Sequence, residues 1–152
     1  MLVVDSSAVL EALAAHDPAP GLVERLAEDG DLHAPHLIDT EILHALRRLL
    51  RRGQISAERA HDARTDYAEL TLVRYPHEPL NDRVWELREN LTAYDATFVA
   101  LAEALDIPLI TCDARLAAAP NHHAHTELFE NRRGSGGAGA QVEMRPRPIA
   151  DS

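Results

Sequence analysis

One cysteine, Cys112, stands in the 152 residues. No internal disulfide can form and a cysteine-rich zinc site is excluded, which fits a reducing compartment. Cys112 reads as a small buried side chain. No run of about 18 apolar residues is available to span a bilayer, and Met1-Leu2-Val3-Val4-Asp5 meets a charge too early for a secretory segment. A protein that stays in the cytoplasm is expected. Lysine is missing altogether, which disfavours a phosphoacceptor domain, since that reading wants a lysine late in the fold. Positive charge is scarce as well. Residues 1–130 hold 23 acids and 11 arginines (11 − 23 = −12), residues 131–152 hold 2 acids and 4 arginines (4 − 2 = +2), and the formal net charge is −10. That balance argues against broad attraction to a polyanion. Divalent cations in an acidic cleft would reverse its local sign, so any nucleic-acid reading carries metal dependence with it.

What is present suffices for the core of one domain: 45% of the residues are hydrophobic. Leu2-Val3-Val4 has the continuous apolar character of a buried parallel strand, and Asp5-Ser6-Ser7 supplies capping residues for a helix over Ala8–Ala15. Asp17-Pro18-Ala19-Pro20-Gly21 breaks that helix, and a second runs from Leu22 to about Glu28. A weak strand is expected over Asp31–Ala34, ended by Pro35. A long helix follows, about His36–Arg52, with Leu37, Ile38, Ile42, Ala45, Leu46, Leu49 and Leu50 at helical spacing and Gly53 at its end. Then come a helix from Ser56 to about Leu70, a strand over Thr71–Tyr75, a helix from Pro79 to about Glu89, a helix over Asp95–Leu105, a strand over Leu109–Cys112, a short helix, and an edge strand over Thr126–Phe129. The composition Arg132-Arg133-Gly134-Ser135-Gly136-Gly137 makes 131–152 a flexible tail.

Strands alternating with helices imply right-handed crossovers and a parallel α/β sheet covered on both faces. Such sheets bind ligands at the carboxyl ends of their strands, where Asp5 and Asp113 both fall.

Four acids stand out by position: Asp5 after the first strand, Glu41 inside a helix's apolar stripe, Asp95 in a helix's first turn, and Asp113 after a late strand. Each has a plainer reading. Asp5 caps the helix that follows, Asp95 complements a helix dipole, and Glu41 pairs with an arginine such as Arg88. Taken together, four carboxylates at one strand-end region repel one another unless a divalent cation joins them. Oxygen donors without convergent His or Cys suit Mg²⁺ or Mn²⁺. A metal there lowers the pKa of a bound water and neutralises charge on an attacked phosphate, the requirements of phosphodiester hydrolysis.

The segments Val3-Val4-Asp5-Ser6-Ser7-Ala8, Pro35-His36-Leu37-Ile38-Asp39-Thr40-Glu41, Leu91-Thr92-Ala93-Tyr94-Asp95-Ala96 and Leu109-Ile110-Thr111-Cys112-Asp113-Ala114-Arg115-Leu116 resemble the PIN-domain family, especially the VapC-type toxins of bacterial toxin–antitoxin pairs. The match covers roughly residues 1–130, in the family's order. The resemblance implies a three-layer PIN-like domain with a central parallel sheet of four to five strands flanked by helices. It also implies Mg²⁺- or Mn²⁺-dependent endoribonuclease activity on RNA, homodimerisation, and neutralisation by a cognate antitoxin. Asp5, Glu41, Asp95 and Asp113 fall on the family's four acidic positions and take their metal-binding and catalytic roles. Thr111, and Ser6 or Ser7, match hydroxyl positions that orient those acids. The Gly-rich extension has no counterpart in the family pattern.

Other signals carry less. Arg47, Arg48, Arg51 and Arg52 guide RNA phosphates in one reading and merely complement a helix C-terminus in the other. His122, His123 and His125 lack a helical i, i+4 pair and read as surface histidines rather than a metal site. Trp85 is expected in the core or at a dimer contact. A phosphoaspartyl hydrolase would use Asp5 as nucleophile and want an acid where Ser7 stands. A catalytically silent PIN-like scaffold that only binds a partner is the remaining alternative, disfavoured by the presence of all four acids.

Overall fold

In a computed structural model, residues 1–131 are described. The expected tail, apart from Asn131, lies outside the described residues. Strands β1 (Leu2–Val4), β2 (Leu32–Pro35), β3 (Leu72–Tyr75), β4 (Leu109–Thr111) and β5 (Thr126–Leu128) form one sheet in the order β3-β2-β1-β4-β5. Every pairing is parallel. The three central strands are buried along their whole length, which is why they carry continuous apolar runs rather than alternation. Among the described residues no helix is long and apolar enough to cross a membrane.

The chain winds outward from β1 to β3, then returns to the other side of β1 for β4 and β5. Helices α1 (Ser6–Ala14), α2 (Leu22–Asp29), α3 (Leu37–Arg51) and α4 (Ala57–Glu69) belong to the outward half, and α1, α3 and α4 pack on one another. A 3₁₀ turn (Glu78–Leu80), α5 (Asn81–Glu86) and α6 (Ala93–Leu105) lead back, and α5 packs on α6. With right-handed crossovers, reversing the winding direction puts the two groups on opposite faces of the sheet. A short α7 (Ala114–Ala117) joins β4 to β5. The reversal lies between β1 and β4, the place where open α/β sheets form a crevice.

Several boundaries moved for local reasons. Asp5 is itself the cap of α1, so that helix begins at Ser6. Thr92 caps α6, which starts at Ala93 and leaves Asp95 at its third position. Pro35 closes β2 from inside, its own nitrogen carrying no hydrogen that would need an acceptor. The helix expected to reach Glu89 ends at Glu86. Gly53 follows α3 at φ +67, the left-handed turn that ends a helix. Leu50 is 40% exposed and Trp85 67% exposed, so neither belongs to the core. The stripe that buries α3 is Ile38, Ile42, Ala45 and Leu46. Thr97 to Ala102 of α6 are buried on every side, as expected of a helix packed between the sheet and a second helix.

One ion pair ties three elements of the outward half. Asp39 of α3 accepts a fork of hydrogen bonds from Arg74 of β3, with Nε at 2.8 Å from Oδ2 and Nη2 at 2.8 Å from Oδ1, and another at 2.6 Å from the Tyr67 hydroxyl of α4. The Arg74 bonds hold the Asp39 carboxyl below its ordinary 3.8, outweighing partial burial. The folded state therefore releases this proton before the unfolded state does. Its stabilisation is complete above pH 3.8 and is lost as pH falls through the lowered value. Because the pair is partly solvated, Asp39→Asn is expected to lower unfolding free energy by only about 1 kcal/mol at pH 7. The difference from wild type should shrink in urea titrations taken into the acid range. Equal stability at pH 7 would show that the pair contributes nothing.

Candidate active site

The crevice between β1 and β4 is organised around Asp5. The residue is 4% exposed. Oδ1 accepts from the Ala8 amide at 2.9 Å and the Ser7 hydroxyl at 2.7 Å, and Oδ2 accepts from the Thr111 hydroxyl at 2.6 Å. Burial raises the Asp5 pKa despite these three donors, and the charge of Asp113 adds to the rise. No arginine or histidine pairs with Asp5 among the described residues. Three of its roughly four acceptor positions are used, leaving room for one further partner.

Two hydroxyls stitch the strand ends together. Thr111, wholly buried at the end of β4, donates to Asp5 and accepts from the Asp113 amide at 3.0 Å. Ser7 donates to Asp5 and accepts from the Cys112 amide at 2.9 Å. The segment after β4 is thereby locked to the start of α1. Asp113 caps α7, its Oδ1 accepting from the Arg115 amide at 2.8 Å, while Oδ2 lies 3.7 Å from the Arg115 guanidinium.

Glu41 approaches from α3, half-buried, and accepts from the Ser6 hydroxyl at 2.7 Å. Burial raises its pKa, Ser6 opposes, and the charges of Asp95 and Asp5 raise it further. The suggested Arg88 partner is elsewhere, 3.4 Å from Glu89 and stacked 4.8 Å from the Trp85 ring centroid. Asp95 is tied reciprocally to Thr92: its amide donates to Thr92 Oγ1 at 3.2 Å, and that hydroxyl donates to Asp95 Oδ2 at 2.9 Å.

The four acids thus form one electrostatic unit, linking Asp5 with Asp113 and Glu41 with both Asp5 and Asp95. They do not form a closed cage. Among the described residues no three His, Cys, Asp or Glu side chains stand close enough to enclose an ion by themselves. A set of hard carboxylate oxygens whose one buried member, Asp5, has no cationic partner among the described residues nonetheless suits Mg²⁺, which keeps several waters and uses only one or two carboxylates directly.

Other chemistries fit less well. With both Asp5 oxygens engaged and the side chain buried, Asp5 is poorly placed as the nucleophile of a phosphoaspartyl enzyme. Burial pushes the Cys112 thiol up to about 12, so it stays protonated at neutral pH. Cys112 is half-buried rather than fully buried. Of the three clustered histidines, His123 and His125 are exposed and His122 is half-buried.

Arg47, Arg48, Arg51 and Arg52 are all exposed on α3. Only Arg48 faces the site, lining a cleft of ≈ 450 Å³ with Ser6, Thr40, Glu41, His44, Ala45 and Tyr94. The sequence reading missed Tyr94 and Thr92. For Thr92 the available signal was a Thr three residues before an Asp, a capping pattern.

Residues 2–121 match the model of the PIN domain family. The chain is 48% identical to Ribonuclease VapC1 of Mycobacterium tuberculosis, covering 78% of this chain and 90% of that one. Among solved structures it is similar to PAE2754 from Pyrobaculum aerophilum, with a TM-score of 0.62, 25% identity and coverage of 82% of this chain and 81% of that one. It also shares its fold with a toxin–antitoxin complex from Klebsiella pneumoniae, with a TM-score of 0.57, 16% identity and coverage of 78% and 91%.

Proposed function

This chain belongs to the PIN-domain family and, within it, to the VapC ribonuclease toxins of toxin–antitoxin systems, and on that premise we propose that Asp5, Glu41, Asp95 and Asp113 are the carboxylates of a Mg²⁺- or Mn²⁺-dependent endoribonuclease. The observation that carries the assignment is Asp5: a buried carboxylate at the sheet's reversal point, close to other acids and paired with no cation among the described residues. When bound, a divalent ion supplies neutralisation of phosphate charge and a water of lowered pKa.

The rest of the work falls to the chain. Thr111 and Ser7 hold the Asp5 carboxylate in one orientation, Ser6 aims Glu41, and Thr92 fixes Asp95. Asp113 is held by the first turn of α7. These supports keep mutually repelling acids from turning away, and their loss is expected to reduce activity about 10–100-fold, the usual effect of removing an outer partner. No side-chain nucleophile is needed, because water attacks the phosphodiester.

Cleavage of single-stranded RNA by the purified protein is expected to require Mg²⁺ or Mn²⁺, to stop in EDTA, and to return when the metal is restored. Equal cleavage in EDTA would remove the mechanism. We further propose a cognate antitoxin as protein partner, supported by the shared fold with the toxin–antitoxin complex, and a homodimer, which rests on the family pattern.

A further inference from the structure

The cleft beside Glu41 draws on three elements: Ser6 from α1, Thr40, Glu41, His44 and Arg48 from α3, and Tyr94 from α6. Arg48 stands two helical turns beyond Glu41, about 10 Å along the axis. Arg48 is exposed and enters no ion pair among the described residues. Tyr94 is 65% exposed, although it adjoins Asp95 and precedes a fully buried stretch of the same helix. A cleft with a mostly apolar lining, in an acidic protein, thus has one carboxylate end, one cationic end and an uncovered aromatic ring on its wall.

We propose that this cleft is a nucleotide subsite of the RNA substrate, in which Tyr94 stacks an unpaired base and Arg48 pairs the phosphate next to the scissile one. The inference rests on the ribonuclease reading above and assigns two residues, Tyr94 and Arg48, that hold its single-stranded substrate beside the scissile bond. A cleft of ≈ 450 Å³ admits a splayed nucleotide but not a duplex. Base-on-aromatic stacking also tolerates any base, so the subsite contributes grip along the strand rather than a sequence code. In a chain of net charge −10, Arg48 is the arginine placed to offset the phosphate at this spot, whereas Arg47, Arg51 and Arg52 do not line the cleft.

The test is binding rather than turnover. In an Asp5→Asn background, a short labelled single-stranded RNA of mixed sequence is titrated by fluorescence anisotropy in Mg²⁺. Tyr94→Ala is expected to weaken affinity about tenfold, while Tyr94→Phe keeps the ring and stays within about twofold. Arg48→Ala is expected to weaken binding and reduce the salt slope by about 0.7, the value of one single-strand phosphate contact. Arg51→Ala should change that slope much less. Unchanged affinity in Tyr94→Ala would overturn the subsite and leave the cleft to a protein partner. Equal effects of Arg48→Ala and Arg51→Ala would overturn the phosphate assignment. Cleavage by Asp5→Asn would defeat the carboxylate mechanism without touching the subsite, so the two failures are distinguishable.

Discussion

Asp5→Asn is expected to abolish metal-dependent RNA cleavage, lowering it by at least about 100-fold, beyond the range typical of an outer partner, while the fold survives. The substitution is close to isosteric. Its side-chain oxygen can keep the bonds from Ala8 and Ser7, and its amide faces the Thr111 hydroxyl, which can accept in place of donating. Losing the ideal Thr111 bond destabilises slightly, and removing a buried charge that the fold raises in pKa does the opposite. The net change in unfolding free energy without metal should stay within about 1 kcal/mol. Added Mg²⁺ should raise the melting temperature of the wild type more than that of the variant, since a ligand that binds only the folded state stabilises it. Undiminished cleavage by a well-folded Asp5→Asn protein would refute the site.

Phe98→Ala carries the largest expected effect on stability. Phe98 is 1% exposed on α6, the helix that packs against β1 and β2 and carries Asp95 at its start. Truncating it loses the transfer free energy of the ring and opens a cavity that stiff neighbouring strands cannot close. About 3–5 kcal/mol should be lost, a large part of the 5–15 kcal/mol typical of a domain. Urea unfolding followed by circular dichroism reads this directly as a shift in midpoint at unchanged slope. A loss under about 1 kcal/mol would mean that the packing around α6 is not as described. Because α6 positions Asp95, any residual folded population should also cleave poorly.

The sequence speaks unevenly about the residues of this site. Asp5 was legible because a short apolar run ending in Asp-Ser-Ser is at once a buried strand, a helix cap and a strand-end acid. Glu41 was legible because an acid inside the stripe Ile38, Ile42, Ala45 and Leu46 conflicts with burial. Its partner was not. Arg88 was as good a candidate as any from spacing, and the structure gives Ser6, 35 positions away, because α1 and α3 lie side by side. The core half of the expectation for Trp85 failed for the same reason: an aromatic on a short helix says nothing about which side of the helix meets the protein. Tyr94 drew no notice beside Asp95, since an exposed ring matters only when a cleft lies next to it.

Local chemistry, written in consecutive residues, sufficed for the alternation of strands and helices, the parallel sheet, the caps and the four acids, because each depends on neighbours within about one turn or one strand. Depth and pairing needed the folded chain. Which carboxylate is buried, which hydroxyl holds it, which of four neighbouring arginines turns toward the cleft, and that the acids couple without closing into a cage are set by contacts between segments 35 to 106 positions apart. No local pattern encodes them, because they follow from how helices settle on the two faces of the sheet.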